Sequence, residues 1–266
     1  TCFPAPIGLG ATWNRELMKN IGKTIAAETR AHGIHMVLSP VLGLARELRW
    51  GRVEETYGED PYLASELGLA IIKGMQGDDL TSDSSVVSEP KHFGVHSVPE
   101  SGSNTGPVSV GMRDGRELFL SVFEKAVRQG GAMGMMAAYH EWDGIPCVSN
   151  HWLLTDLLRD EWGFQGLVLS DLGAIAMQYN NHFTVSSPKE AIVNSIKAGM
   201  DMQFYDFEHD IYQSSIIEAV KEGFLLVEEL DQAVSNVLRV KFSLGLFENP
   251  YTDTSLVSRR LGNQKN

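Results

Sequence analysis

Cysteine is nearly absent from this sequence: Cys2 and Cys147 are the only two in 266 residues, far apart and outside any C-x-x-C or His-Cys ligand spacing. That excludes a disulfide framework and a structural zinc site. Basic residues are scarce as well. Lysine and arginine number 22 against 34 acidic residues, a formal charge of −12 that repels phosphate backbones and anionic lipid, so neither nucleic acid nor a membrane is expected as partner. No apolar run approaches the roughly 18 residues of a membrane span, and the N-terminus lacks a basic segment followed by an apolar one. Because the chain starts at Thr1 rather than Met, a processed or truncated origin is expected. A phosphate cradle is missing too: Gly8-Leu9-Gly10 lacks the rest of a G-x-G-x-x-G pattern and has no P-loop lysine nearby, so no cofactor is expected.

What is present is ordinary for a globular protein. Hydrophobic residues make up 43% and charged residues 21%, enough for a substantial core in one large α/β domain or two small ones. Apolar runs that read as buried strands lie at 34–39, 86–89, 132–139, 167–171 and 200–204, with a weaker one at 5–9. Between them, apolar residues near 3.6 spacing predict helices over 14–31, 62–76, 114–129, 151–162, 187–198 and 211–222. Asp60-Pro61 and Asn150 are helix-starting signals, and Gly130-Gly131, Gly163 and Gly199 are helix-ending ones. The alternation predicts an α/β fold of (β/α)8 TIM-barrel type, with a doubly wound open sheet as the alternative. About five convincing strands stand where such a barrel takes eight, so an irregular or incomplete N-terminal part is expected. The barrel is assigned to 1–248, and 249–266 reads as a polar tail or the start of a linker to a missing second domain.

The stretch GFQGLVLSDLGAI, 163 to 175, closes an apolar strand with Asp171. Functional groups of parallel α/β folds sit just beyond strand carboxyl ends, but Asp171 reads equally well as a helix N-cap or turn carboxylate. Taken in barrel order, the strand ends present Arg49 and Arg52, then Lys91 and His92, then Met136 and Tyr139, then Asp171. A ring of donors around one carboxylate suits a hydroxyl-rich neutral ligand. Each member also has a plain structural reading. Arg52 has Glu54, Glu55 and Glu59 as loop-closing ion-pair partners, Lys91 and His92 suit a solvated strand end, Met136 suits the core, and the Tyr139 hydroxyl suits a backbone anchor. His92-x3-His96 has the spacing of a helical metal site. On a strand that spacing is not expected to converge, and no neighbouring acid supplies a third ligand, so no metal is expected. The histidines at 32, 35, 140, 151, 182 and 209 suggest no cluster.

Several long motifs, in order, carry a family resemblance: RWGRVEETYGEDPYL, PKHFGVHSVPESGSN, GAMGMMAAYHEWDGIPC, LLTDLLRDEWGFQGLVLSDLGAI and VLRVKFSLGLFENP. Together they resemble the N-terminal catalytic barrel of glycoside hydrolase family 3, the β-glucosidase and β-xylosidase group, from FPAPIGLGATWN to FENPY. The resemblance implies an exo-acting, retaining β-glycosidase that removes terminal β-linked glucose or xylose from an oligosaccharide or glycoside. Its nucleophile is then Asp171, which must sit close to the anomeric carbon to form a covalent glycosyl-enzyme. Arg52, Lys91, His92, Met136 and Tyr139 match positions that grip the non-reducing-end sugar. Cationic donors beside Asp171 are expected to favour its charged form.

Departures from the pattern accompany these matches. Gly43 and Glu47-Leu48 replace residues common before the first arginine, and His140 stands where Asn is commoner. Leu172 follows the nucleophile where relatives usually carry Trp or Tyr, so a stacking ring on the leaving-group side is missing. The resemblance also implies an early-barrel Asp ahead of FPAPIGLGATWN, and an acid/base Glu from a second α/β domain beyond FSLGLFENP. Neither lies within the sequence, so the chain alone is expected to be weakly active or inactive. A β-N-acetylglucosaminidase of the same barrel is an alternative, disfavoured because KHFGVHS is not followed by Asp-Ser-His; a catalytically silent carbohydrate-binding barrel is another. Family members suggest a periplasmic or secreted location.

Overall fold

In the computed structural model, which describes residues 1–263, parallel strand segments alternate with helices. The strands are β1 (Met36–Val37), β2 (Val87–Ser88), β3 (Gly134–Ala137), β4 (Glu141–Trp142), β5 (Ile145–Pro146) and β6 (Leu167–Ser170). The helices are α1 (Pro6–Gly10), α2 (Arg15–Ala31), α3 (Pro61–Gln76), α4 (Met112–Asp114), α5 (Ser121–Arg128), α6 (Ala174–Asn180), α7 (Pro188–Ala198), α8 (His209–Glu222), α9 (Val227–Ser243) and α10 (Val257–Arg260). Wider π-type turns, Gly115–Leu120 and Trp152–Glu161, complete the helical layer.

β1 pairs with β2 in parallel, Met36 opposite Val87, and the Val41 to Lys91 bridge prolongs the contact. Phe93 bridges to Ala137 of β3, β3 pairs with β6 from Gly134–Leu167 to Ala137–Ser170, and Leu169 bridges to Met202. The order of this parallel arc is β1, β2, β3, β6 and the segment at Met202, each joined to the next through a helix. The fold is therefore of (β/α)-barrel, TIM type, with no closed sheet among the described residues.

Local chemistry explains the helix boundaries. Asn14 accepts the amide of Leu17, Asp60 that of Leu63 ahead of Pro61, and Ser187 that of Glu190 ahead of Pro188. Each satisfies an amide that the first helical turn leaves unpaired. α2 and α3 cross almost backbone to backbone: a Cβ on Gly74 would lie 2.2 Å from the Lys19 carbonyl, and one on Gly22 2.5 Å from that of Ile71. Outside the arc, Leu67, Ile72, Phe93, Phe123 and Leu153 are buried between strands and helices. At about 1.5–3 kcal/mol per buried side chain, this layer supplies most of the driving force. A second cluster joins Val87, Met136, Leu167 and Leu169 to Val240 of α9 and Leu244 just beyond it, so the end of α9 packs on these strands.

Several expectations need correction. Residues 5–9 are not a strand: Pro6 opens α1, its fixed φ suiting the first helical turn. Over 200–204 only Met202 is bridged, because the segment then bends toward α8. α6 and α9 were not anticipated, nor was the β4–β5 hairpin, although its Asp143-Gly144 turn, both at positive φ, is a recognisable hairpin signal. The segment assigned as a tail or the start of a linker is not among these corrections; its residues 249–263 lie against α2 and the loop before β2, where the Arg260 guanidinium meets Asp83 at 2.9 Å and the Gly262 amide reaches Glu28 of α2 at 3.2 Å. The rest of the segment read as a tail, 264–266, lies outside the described residues. Among those described, no helix is long and apolar enough to cross a membrane.

Candidate active site

The strand ends converge as a barrel requires. Asp171 follows β6 and is 7% exposed. Its Oδ1 accepts the amide of Leu172 at 2.7 Å, while Oδ2 is buried without a hydrogen-bond partner, 3.6 Å from His92 Nε2. Asp171 does not act as a helix cap. The amides of Ile175 and Ala176, in the first turn of α6, are taken by Asp206 instead.

Arg52 approaches from the loop after β1. Its guanidinium forks onto Glu55 at 2.7 and 2.8 Å, donates to the Tyr139 hydroxyl at 2.8 Å and points Nη2 at His92 Nε2, 3.2 Å away. The ion-pair reading and the site reading of Arg52 therefore both hold, with Glu55 as the partner. Tyr139 anchors to no backbone; Asn104 donates to its hydroxyl and also accepts the Trp50 indole N–H at 2.8 Å. Lys91 is half-buried, and its charge acts favourably on Asp171. His92 is buried rather than a solvated strand end. Met136 is 1% exposed among Val87, Leu167 and Leu169, so it belongs to the apolar layer beneath the mouth. Arg49 points away: it forks onto Glu47 and is largely exposed.

The two histidines of the H-x3-H spacing do converge, contrary to expectation. After Phe93 the chain turns at Gly94, φ +130, and brings the His96 ring to 4.4 Å from that of His92, centroid to centroid. Asp171 comes from β6 as the acid that sequence proximity did not reveal, and one ligand atom from each of the three lies within 4.8 Å of the others. His140 joins them, 5.3 Å from His96, so the expectation of no further cluster also fails. The cations Arg52 and Lys91 adjoin these donors, and His92 Nε2 already faces the Arg52 guanidinium. The arrangement fits a neutral polar ligand better than a cation.

Burial dominates the electrostatics. It raises the Asp171 pKa to about 6, outweighing the Leu172 amide, Lys91 and Arg52, which act in the opposite direction; Asp206 adds to the rise. The cationic neighbours thus moderate the shift rather than reverse it, a correction to the expected depression. Burial also drives His92 and His96 well below the usual imidazole range, so both rings are neutral and His92 Nε2 offers a lone pair to Arg52. Burial alone would lower Arg52, but the Glu55 bond and the Tyr139 and Asp171 charges carry it upward.

Two further acids were missed from sequence. Glu89, two residues beyond inward-facing Val87, shares its register and is sealed beneath Lys91 with both carboxyl oxygens unpaired. Burial lifts its pKa to about 8. Gly134 on β3 leaves it room: a Cβ there would lie 3.0 Å from that of Glu89. An acid at the inward register of an apolar strand was a readable signal. Asp206 and Asn104 lie in irregular loops and carried none.

A protein-family model described as the glycosyl hydrolase family 3 N terminal domain matches residues 1–240. The chain is 36% identical over 255 residues to a β-xylosidase of Formosa agariphila, covering 93% of this chain and 35% of that protein. It is 35% identical over 252 residues to a periplasmic β-glucosidase of Salmonella typhimurium, covering 95% and 32%. Among solved structures, a β-glucosidase from Listeria innocua superposes with a TM-score of 0.94 at 37% identity, over 100% of this chain and 37% of the other. The chain thus spans about a third of the length of these relatives.

Proposed function

The chain belongs to glycosyl hydrolase family 3, and from that premise we propose that it carries the nucleophile of an exo-acting, retaining β-glycosidase for terminal β-linked glucose or xylose. One observation carries the reading: a strand-end carboxylate with one oxygen unmet, ringed by Arg52, Lys91 and His92. Buried polar atoms are normally paired, and one left open beside donors of sugar hydroxyls is placed for a reacting carbon.

In this mechanism Asp171 Oδ2 attacks the anomeric carbon as the glycosidic bond breaks, forming a glycosyl ester that water then hydrolyses. Arg52, held by Glu55, and the neutral His92 orient the sugar hydroxyls. Their hydrogen bonds strengthen as positive charge develops on the ring. A retaining enzyme needs a second carboxyl group about 5–5.5 Å from the first. Glu55 is committed to Arg52, Glu89 is sealed and Asp206 accepts four hydrogen bonds, so none of these three is free to protonate a leaving group; the family resemblance implies an acid supplied by a second α/β domain.

The test uses the complete polypeptide encoded by the gene. Exposure to a 2-fluoro-glucoside or 2-fluoro-xyloside inactivator should leave a stable adduct on Asp171, located by peptide mass, and turnover of aryl β-glucoside or β-xyloside should exceed that of the β-N-acetylglucosaminide. Undiminished hydrolysis by Asp171→Ala would overturn the assignment. Binding of sugar with no adduct would leave a silent carbohydrate-binding barrel in its place.

A further inference from the structure

The loop that follows the Met202 bridge converges on Asp171 from outside the sugar-gripping ring. Asp206 lies in it, and its carboxylate ties together three pieces of chain. Oδ2 accepts the hydroxyl of Ser170 at 2.6 Å and the amide of Phe204 at 3.0 Å. Oδ1 accepts the amides of Ile175 and Ala176, the latter at 3.2 Å. Ser170 Oγ itself accepts the Phe204 amide at 2.7 Å, and the Gly173 amide donates to the Phe204 carbonyl at 3.2 Å. Asp171 is therefore bracketed: the residue before it and the residues four and five after it are bound to one carboxylate.

From this geometry we propose that Asp206 is the positioning residue of the nucleophile, holding the Ser170–Ala176 turn so that Asp171 Oδ2 faces the barrel mouth. The inference rests on Asp171 being the reacting group. Asp206 never meets the sugar; it acts through Ser170 and the α6 turn. By taking the two amides an N-cap aspartate would occupy, it also leaves Asp171 uncommitted. Because it is a like charge, it adds to the burial that holds Asp171 above the usual carboxylate range. The other charged or titratable groups facing Asp171 are Lys91, His92 and His96 beyond β2, Arg52 after β1, Tyr139 beyond β3 and Glu89 two residues past Val87. Asp206 in turn acts on Tyr212 of α8.

The experiment compares wild type with Asp206→Asn and Asp206→Ala in the complete polypeptide. The substrate is a 2,4-dinitrophenyl β-glycoside, whose leaving group needs no protonation, so the acid limb of kcat/KM reports on Asp171. Asp206→Asn keeps the size of the clamp and removes its charge, so the acid limb should move to lower pH. Asp206→Ala also frees the turn. A misplacement of about 1 Å costs on the order of 100-fold in rate, so kcat should fall by about 10- to 100-fold while KM changes by less than about threefold. If Asp206→Ala fails to fold, Asp206→Asn alone decides. An unmoved acid limb with wild-type kcat in the folded variants would overturn the proposal.

A second readout separates this inference from the glycosidase reading. A carboxyl carbon-13 NMR titration of Asp171 in this chain, assigned by its loss in Asp171→Asn, requires no turnover. If the Asp171 midpoint falls in Asp206→Asn while the complete polypeptide hydrolyses no glycoside, the clamp stands and the glycosidase reading falls. If hydrolysis proceeds through Asp171 and neither midpoint nor kcat responds, the clamp falls alone.

Discussion

Strand β6 has a buried aspartate at each end, and the two could hardly be treated more differently. At the amino end Asp201 accepts the Val168 amide at 2.7 Å, the Arg159 guanidinium at 2.6 Å and the Asn236 amide at 2.8 Å. At the carboxyl end Asp171 has the Leu172 amide on one oxygen and nothing on the other. Burial raises both pKa values above the ordinary carboxylate range. Residue type, burial and direction of shift are alike. What differs is whether the desolvated oxygens find partners: Asp201 is fully engaged, whereas the proposed nucleophile keeps one oxygen open.

The largest expected break in the comparison comes from Asp171→Asn. If Asp171 is the nucleophile, kcat/KM of the complete polypeptide on aryl β-glucoside should fall by on the order of 10³-fold or more, as removal of a covalent catalyst does. Stability of this chain should move the other way. The folded pKa of about 6 exceeds the unfolded value of 3.8, so the folded state binds the extra proton between them. Asp171 therefore contributes stability that is fully present below the unfolded value and lost as pH rises through about 6. At neutral pH the uncharged amide should raise stability by up to about 3 kcal/mol, read as an increase in denaturation midpoint. A lower midpoint would mean that Asp171 is held as tightly as Asp201.

Asp201→Ala is expected to act only on the fold. It strands Arg159, 14% exposed at its side chain, and leaves the Val168 amide and Asn236 without their acceptor. Breaking a buried pair by removing one partner costs about 3–5 kcal/mol. The urea midpoint should drop accordingly, while whatever remains folded keeps the wild-type pH dependence of glycoside turnover. A changed acid limb would show that the amino end of β6 communicates with the mouth.

The same contrast explains what could be read from the sequence. The alternation of apolar runs with amphipathic stretches located α2, α3 and α7, each with a capping side chain and a periodic buried face, and α8 by its periodicity alone. It located Arg52, Lys91, His92, Tyr139 and Asp171 because strand ends of a barrel share one mouth. The regular repeat carries no information about what happens between repeats. The turn at Gly94 that folds His96 under His92, the strap that brings Asn104 to Tyr139, and the loop that delivers Asp206 are all irregular backbone. Met136 lies one layer below the mouth, and inward registers at the mouth and one layer below look identical in sequence. α9 was missed although its buried Ala233, Asn236 and Val240 fall at helical spacing.

Glu89 sharpens the comparison. At 0% exposed it is more deeply buried than Asp171 at 7%, and it has none of the partners that Asp201 has. Its folded pKa of about 8 exceeds the ordinary carboxyl value of 4.5, so the folded state keeps a proton that the unfolded chain releases. That contribution is intact below the unfolded value and lost as pH rises through about 8. Between about pH 5 and pH 9 wild type should therefore lose on the order of 4 kcal/mol that Glu89→Gln retains. Parallel stability curves for the two proteins, from chemical denaturation at each pH, would show that water or a rearrangement hydrates Glu89.

The smallest effect separates the two arginines of R-W-G-R. Arg49 and Arg52 each fork onto a glutamate, Glu47 and Glu55, yet only the second pair faces the mouth. Arg49 is 70% exposed at its side chain, where long side chains lose entropy to hold an ion pair and salt screens it. Arg49→Ala should leave the denaturation midpoint and kcat/KM of the complete polypeptide within about twofold of wild type, since exposed pairs contribute little. Arg52→Ala removes the donor to Tyr139 and the charge beside Asp171 and His92, so KM should rise and kcat fall together. Equal losses from the two substitutions would place both arginines at the sugar and would require the loop from 43 to 59 to close over the mouth when substrate binds.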